Sequence, residues 1–311
     1  MKVTLKQLAY FRALAQARNF GRAAELANVT QPALSMQIKE LEGVLGVALV
    51  ERLPRDVRLT RAGREVLART DRILSEAMEL ETSARRQGLQ AALTLGMIPT
   101  IAPYLLPGTL ARLRAGDITR DLRLREAQTA DLLSGLREGR LDAVVLADPA
   151  PAPDLVIAPL FQDRFVLAGS EGRIGVLEQG RRALDPTTLN PDHLLLLDDG
   201  HCLADQALAF CAIDRRQTRL DLGASTLSTL CGLVAQGFGL TLLPELAVRA
   251  EAAGGQGIVL QRFGQPEPFR QIALLRRASS DGGAWFDDLG AHLCHAGQEL
   301  IAAARLRCAP V

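Results

Sequence analysis

The chain has 311 residues, enough for two or more domains with their own cores, and its 48% hydrophobic and 23% charged residues describe an ordinary globular protein. No apolar run reaches the ~20 residues of a membrane-spanning helix, and Met1-Lys2-Val3-Thr4 leads into an amphipathic helix rather than a secretory leader, so a cytoplasmic protein is expected. The net charge is only +1, but residues 1–90 carry 15 Lys and Arg against 10 Asp and Glu while the remainder carries 21 against 25, so only the N-terminal part suits a polyanion.

Leu5, Leu8, Phe11, Leu14 and Ala15 fall at helical spacing, and Asn19 is placed to cap a second helix through Ala23, Ala24 and Leu26. After the turn Ala27-Asn28-Val29, Thr30 is placed to cap a third helix with Pro32 in its first turn, where a missing N–H costs nothing. Leu34, Ile38 and Leu41 form an inward apolar stripe on this helix, so Pro32, Ser35, Met36 and Lys39 project from the opposite face, with Gln31 at its exposed N-terminal end. A short helix, a tight turn and a second helix with a polar outer face is how a helix-turn-helix meets the major groove; the alternative is a plain helical hairpin. Arg52, Arg55, Arg58, Arg61 and Arg64 then recur every third residue through a Pro-containing turn, as in a wing that holds phosphates, which favours DNA.

The run N-F-G-R-A-A-E-L-A-N-V-T-Q-P-A-L-S-M-Q-I-K-E-L-E, with L-G-V-A-L-V-E-R and L-T-R-A-G after it, resembles the winged helix-turn-helix of LysR-type transcriptional regulators. The resemblance implies a DNA-binding domain over residues 1–60, double-stranded DNA as partner, and contacts from Gln31, Pro32, Ser35, Met36, Lys39, Arg52 and Arg55. Many family members carry Arg where Met36 stands.

Residues 61–90 read as a long polar linker helix with Val66, Thr70, Ile73, Ala77, Leu80 and Ala84 spaced by alternating fours and threes, a coiled-coil seam that implies a dimer. A helix packed only on its own domain is the alternative. The family resemblance also points to self-association, often as tetramers, and to RNA polymerase as a partner.

From about residue 91 short apolar strands alternate with helical stretches: Ala92–Met97, Leu122–Glu126, Leu141–Ala147, Phe165–Ala168, Leu194–Leu197, Gly239–Leu243, Ile258–Gln261 and Gln271–Leu275. That alternation argues for parallel α/β sheets in two subdomains. The fold class expected is therefore α+β and α/β: a winged helix-turn-helix, a linker helix, and a regulatory domain over 91–311. The resemblance gives the last a two-lobed, periplasmic-binding-protein form, lobe I at about 91–164 and 267–311 and lobe II at about 165–266, crossing near 163–166 and 265–268. The Gly-x-Gly at 237–239 reads as a helix-to-strand turn, because no strand precedes it.

Five cysteines in a reducing compartment argue against a structural disulfide framework, so each thiol is read singly. Cys202 follows an expected strand and the turn Asp198-Asp199-Gly200, which puts it at a sheet edge and a helix N-terminus, where open α/β sheets place ligand sites. The helix end, His201 or a nearby cation would lower its pKa and make it a nucleophile. Thr100 and Thr129, each shortly after a strand, fall on the same edge and supply hydrogen-bond donors. Cys231, in an apolar helix, reads as core, and Cys294 and Cys308 as incidental. No Cys/His cluster has metal-ligand spacing, so no metal and no cofactor are expected.

The stretch His201–Cys211, with M-I-P-T-I-A-P-Y-L-L-P from Met97 and E-A-Q-T from Glu126, resembles the peroxide-sensing members of the same family over nearly the whole chain. The tail from Arg305 has no counterpart. The resemblance implies that hydrogen peroxide is the signal, that Cys202 is the peroxidatic and Cys211 the resolving cysteine of a disulfide, and that Thr100, Thr129, His201, Asp205 and Arg270 form the peroxide pocket. A helical segment would hold two thiols nine residues apart at about 13 Å, whereas a disulfide needs Cα atoms within about 7 Å, so oxidation would unwind it. The resulting expectation is a regulator of oxidative-stress genes and not an enzyme; the alternatives are a LysR-type regulator of a small organic effector bound between the lobes, and a thiol peroxidase.

Overall fold

The computed structural model describes residues 2–52, 56–87, 93–113, 122–178, 184–214, 216, 224–253, 257–280 and 283–309. The chain divides into two compact units, Met1–Leu89 and Gln90–Val311.

In the first unit α1 (Leu5–Ala17) is opened by a reciprocal cap in which Thr4 Oγ1 accepts from Gln7 N and Gln7 Oε1 accepts from Thr4 N. Asn19 Oδ1 accepts from Arg22 N at 3.1 Å and starts α2 (Phe20–Leu26). The turn after it is made by Asn28, a residue type that tolerates its left-handed φ of 50°. Thr30 precedes α3 (Gln31–Leu45) but makes no side-chain cap bond, so Pro32 rather than a hydroxyl marks this start. Gly46, at φ 72°, ends the helix. Phe11, Leu14, Ala23, Leu34, Ile38 and Leu41 are sealed in one core, but the sequence-expected core residues Leu5 and Leu26 are exposed. Leu26 lies two positions beyond Ala24, about 200° round the helix, and so faces away.

Strands β1 (Val50–Arg52) and β2 (Val57–Leu59) form an antiparallel hairpin, Val50 opposite Leu59, which is the wing. Helix α4 (Arg61–Gln87) follows. Of the expected seam, Thr70 is buried against its own unit, where Leu74 joins the core, whereas Ile73 and Leu80 are exposed at 47% and 73%. The side chain of Ala84 lies outside the described residues.

The second unit is built on a seven-stranded sheet: β3 (Leu93–Met97), β4 (Leu122–Glu126), β5 (Ala143–Ala147), β6 (Leu155–Gly169), β7 (Thr241–Pro244), β8 (Val259–Gln261) and β9 (Phe269–Arg277), in the order β4-β3-β5-β9-β6-β7, with β8 also on β6. The expectation of parallel sheets holds only for β3, β4 and β5; β5 with β9, and β6 with β9, β7 and β8, are antiparallel. β6 is one long strand that pairs β9 up to Arg164 and passes to β7 at Phe165, and residues 262–268 lead back from β8 into β9. Its first half escaped the sequence pattern because Pro159 interrupts it, at a bulge between Pro159 and Phe161. Leu194–Leu197 is not a strand but touches its neighbours only through single bridges at Leu194 and Leu197.

Helices α5 (Ala102–Leu113), α6 (Thr129–Arg137), α7 (Glu171–Glu178), α8 (Cys202–Cys211), α9 (Leu227–Ala235), α10 (Glu245–Glu251) and α11 (Gly283–Arg307) cover the sheet. The Gly-x-Gly segment is the expected turn from α9 towards β7, with Gly237 at φ 80°. Among the described residues no helix is long and apolar enough to cross a membrane.

Candidate functional site

In the first unit the buried stripe of α3 turns Gln31, Pro32 and Lys39 fully outward, leaves Met36 56% exposed, and leaves Ser35 half-buried on the same outer side. Arg52 ends β1, although nothing is described of its side chain, and Arg55 lies outside the described residues. Other wing arginines have partners: Arg58 meets Asp56 at 3.3 Å, and Arg64 Nη1 donates to the Leu59 carbonyl at 2.9 Å.

In the second unit the ends of β3 and β4 and the start of α8 converge. Asp198 N donates to Ala224 O, and Gly200 turns the chain at φ 91°, where a side chain would also strike Gln128 Oε1 at 2.5 Å. His201 is then the N-cap of α8, without a side-chain cap bond, and Cys202 its first residue. Ile98, Pro99, Thr100, Gln128, Thr129, Gly200, His201 and Cys202 enclose a pocket of about 180 Å³, in part open to solvent.

Behind Thr100 stands Arg270, fully buried, whose Nη1 donates to Thr100 Oγ1 at 3.0 Å and Nη2 to Thr100 O at 3.1 Å. Arg270 Nε donates to Asp163 Oδ2 at 2.9 Å, and the guanidinium lies 5.8 Å from the centre of the Phe165 ring. On the other flank of α8, Gln206 Nε2 donates to Asp148 Oδ2 at 2.7 Å.

The electrostatics of Cys202 differ from the sequence expectation. Burial pushes its thiol above the usual range, more than the Arg270 charge and the Thr129 hydrogen bond pull it down, while Asp148 and Asp205 add to the rise. The Nδ1 of His201 is buried and has no hydrogen-bond partner among the described residues. Desolvation, invisible in a one-dimensional reading, outweighs the nearby cation. The pocket therefore sets burial, which disfavours the thiolate, against two groups that stabilise it.

Cys211 closes α8 at its other end, buried, its thiol pushed up to about 11 by burial. Cys231 is buried on α9, its thiol pushed up to about 12 by burial and then by Glu251, which fits a core thiol.

Residues 5–64 match the family of bacterial regulatory helix-turn-helix proteins, lysR family, and residues 86–293 match the LysR substrate binding domain. The chain belongs to the LysR family. Among the relatives of this LysR-family regulator, a probable hydrogen peroxide-inducible genes activator of Streptomyces viridosporus is 41% identical, over 96% of this chain and 95% of that one. The DNA-binding transcriptional dual regulator OxyR of Escherichia coli K12 is 39% identical, over 89% and 90%. Of solved structures, a hydrogen-peroxide-bound cysteine-to-serine mutant of Corynebacterium glutamicum OxyR aligns with a TM-score of 0.61 at 35% identity, covering 97% of both chains. A full-length cysteine-to-aspartate OxyR from Pseudomonas aeruginosa aligns with a TM-score of 0.58 at 33% identity, over 94% and 99%.

Of the residues expected at the regulator's thiol site, the fold brings Thr100, Thr129, His201 and Cys202 to one pocket and sets Arg270 directly behind Thr100. Asp205 is exposed on α8, outside the pocket lining, and reaches Cys202 only as a charge. Sequence reasoning missed Gln128 and Asp163. Gln128 stands in the quoted E-A-Q-T run beside Thr129, which was a usable signal; Asp163 sits in the Pro159-interrupted strand and gave none. Among the described residues no group of three or more His, Cys, Asp or Glu is arranged to hold a metal ion.

Proposed function

We propose that this LysR-family regulator senses hydrogen peroxide through Cys202 and Cys211 and controls oxidative-stress genes. The observation that carries the reading is the convergence of Thr100, Thr129 and His201 on the Cys202 thiol in one small pocket, with a second thiol at the far end of the same helix.

The chemistry follows from the residues. The Cys202 thiolate, held by the Thr129 hydroxyl and the Arg270 charge, attacks one peroxide oxygen; the O–O bond breaks, and the other oxygen takes up a proton and leaves as water. Thr100, whose hydroxyl oxygen already accepts from Arg270, has its proton free to donate to the leaving oxygen, and His201 closes the pocket beside it. Cys202 is now a sulfenic acid. The Cys211 thiolate attacks its sulfur and forms the disulfide, while the S–O bond breaks and the departing oxygen takes up a proton from solvent and leaves as a second water.

As the first and last residues of α8, the two cysteines are separated by a rise of about 13 Å, so the disulfide requires the helix to unwind. Oxidation is in this way a fold switch rather than a local change.

The output belongs to the helix-turn-helix. Gln31, Pro32, Ser35, Met36 and Lys39 meet base edges of double-stranded DNA in the major groove, and Arg52 and Arg55 meet phosphates. On this reading the domains are 1–60, 61–90 and 91–311, the last with lobes at about 91–164 with 267–311 and at 165–266. The exposed Ile73 and Leu80 of α4 meet a second copy, two dimers make a tetramer, and the assembly works in the cytoplasm with RNA polymerase. Replacement of Cys202 by Ser should abolish the transcriptional response to hydrogen peroxide, while a fully responsive variant sinks the proposal.

A further inference from the structure

Asp163 stands behind the thiol pocket with no part in the chemistry above. It lies on β6 in register with Arg270 on β9, and both side chains are fully buried. One carboxylate oxygen, Oδ2, is 2.9 Å from both Nε and Nη2 of Arg270. The other, Oδ1, accepts from Leu246 N at 3.0 Å, in the first turn of α10. The carboxylate is thus held between a strand partner and a helix, and it grips the guanidinium along its Nε–Nη2 edge, next to the Nη1–Nη2 edge that faces Thr100.

A guanidinium keeps its proton at any ordinary pH and offers five donors in a rigid plane, so its acceptors set its orientation. Here two residues supply them: Asp163 at the Nε–Nη2 edge, and Thr100, through its hydroxyl oxygen and carbonyl, at the adjacent Nη1–Nη2 edge. Because Nη1 occupies an acceptor position on Thr100 Oγ1, the Thr100 hydroxyl proton must turn elsewhere, and Thr100 lines the pocket beside Cys202. A buried, unpaired guanidinium is costly, so Arg270 needs the Asp163 carboxyl opposite it.

We propose that Asp163 is a positioning residue for the peroxide reaction: by clamping Arg270 it fixes the Thr100 hydroxyl as a donor to the oxygen leaving at Cys202. The inference rests on the peroxide reading of the pocket. It touches neither substrate nor sulfur, and acts only through Arg270 and Thr100.

The test compares two reactions of the same thiolate in the full-length protein. Oxidation by hydrogen peroxide needs a donor to the leaving oxygen; alkylation by iodoacetamide does not. Both rates depend equally on the charges facing Cys202, namely Arg270, Asp148 and Asp205, with the Thr129 hydroxyl bonded to the sulfur and His201 alongside; Asp163 itself faces Arg270 and Glu245. Their ratio over a pH series therefore isolates the donor from the thiolate fraction. Removing an oxyanion donor outright costs about 100- to 1,000-fold; Asp163→Asn loosens rather than removes one, and should lower the peroxide-to-alkylation ratio about tenfold at every pH. Asp163→Glu keeps the charge that the buried pair needs for folding but shifts the carboxylate by one methylene, and should lower the ratio as well. An unchanged ratio in a folded variant, with the parent protein oxidised rapidly, overturns the inference and leaves the peroxide reading standing. A parent protein whose Cys202 is alkylated but not oxidised overturns the peroxide reading first, and this inference with it.

Discussion

The hydrogen bond from Thr129 to the Cys202 sulfur is the most exposed link in the thiol chemistry, because it favours the anion while burial opposes it. Thr129→Val keeps the side-chain volume and removes the donor. A hydrogen bond to a charged group contributes about 1.5–3 kcal/mol, so its loss raises the already elevated thiol pKa further and lowers the thiolate fraction by about ten- to a hundredfold. The sign is fixed by chemistry: the bond stabilises the charged, deprotonated form, and its removal favours the neutral thiol. Below the pKa the thiolate fraction falls about tenfold per unit, but intrinsic nucleophilicity recovers 0.4–0.5 of each logarithmic unit, so the net rate falls only about 3- to 15-fold. Alkylation by iodoacetamide, followed by mass spectrometry of the Cys202 peptide across a pH series, reads both quantities. The variant's profile should be displaced to higher pH while its high-pH plateau is not lowered. A profile that stays in place, or shifts to lower pH, refutes the assignment of Thr129 as a stabiliser of the thiolate.

Gly200→Ala places a methyl group against Gln128 at a φ of 91°; it should lower unfolding stability by about 1–3 kcal/mol in a denaturant titration and alter Cys202 alkylation, and a variant as stable as the parent contradicts the packing of this turn. Arg270→Leu leaves Asp163 buried without its partner and should cost about 3–5 kcal/mol. Burial then raises the Asp163 carboxyl further above its unfolded value, so the variant's stability is greatest at low pH and is lost as pH rises through that raised value, a trend that urea unfolding at several pH values will show or fail to show. Ile73→Glu with Leu80→Glu places two charges on the exposed stripe of α4 and should shift sedimentation equilibrium towards monomer; undiminished association would mean that the stripe is not the seam.

The helix-turn-helix was readable because its signals are local. The stripe Leu34, Ile38 and Leu41, Asn19 as a cap and Pro32 at a helix start each act within one or two turns. Thr30 shows the limit, since a suitable residue at a cap position made no bond. In the second unit the sheet was legible where strands are short and apolar, and illegible where long-range pairing decides: Leu155–Gly169 extends through Pro159 because β9 pairs along it, while Leu194–Leu197 is apolar enough for a strand but meets its neighbours only at isolated bridges.

The thiol site follows the same division. Cys202, Thr100 and Thr129 could be grouped from sequence because each stands just after a strand or opens a helix on one sheet edge. Asp163 could not, since its role depends on a cross-strand register with Arg270 that no local pattern encodes. The direction of the Cys202 shift was also out of reach, because burial depends on every neighbour and here exceeds the pull of the cation and the Thr129 hydroxyl.

In the proposed switch, peroxide joins the two ends of α8. Mass spectrometry of the intact and digested protein, before and after one equivalent of hydrogen peroxide, tests it directly. The expected result is a Cys202–Cys211 crosslinked peptide, a mass loss of two hydrogens, and increased amide exchange through residues 202–211 as the helix opens. Peroxide consumed with Cys202 and Cys211 both still reduced, or a crosslink formed with α8 still protected, would contradict it.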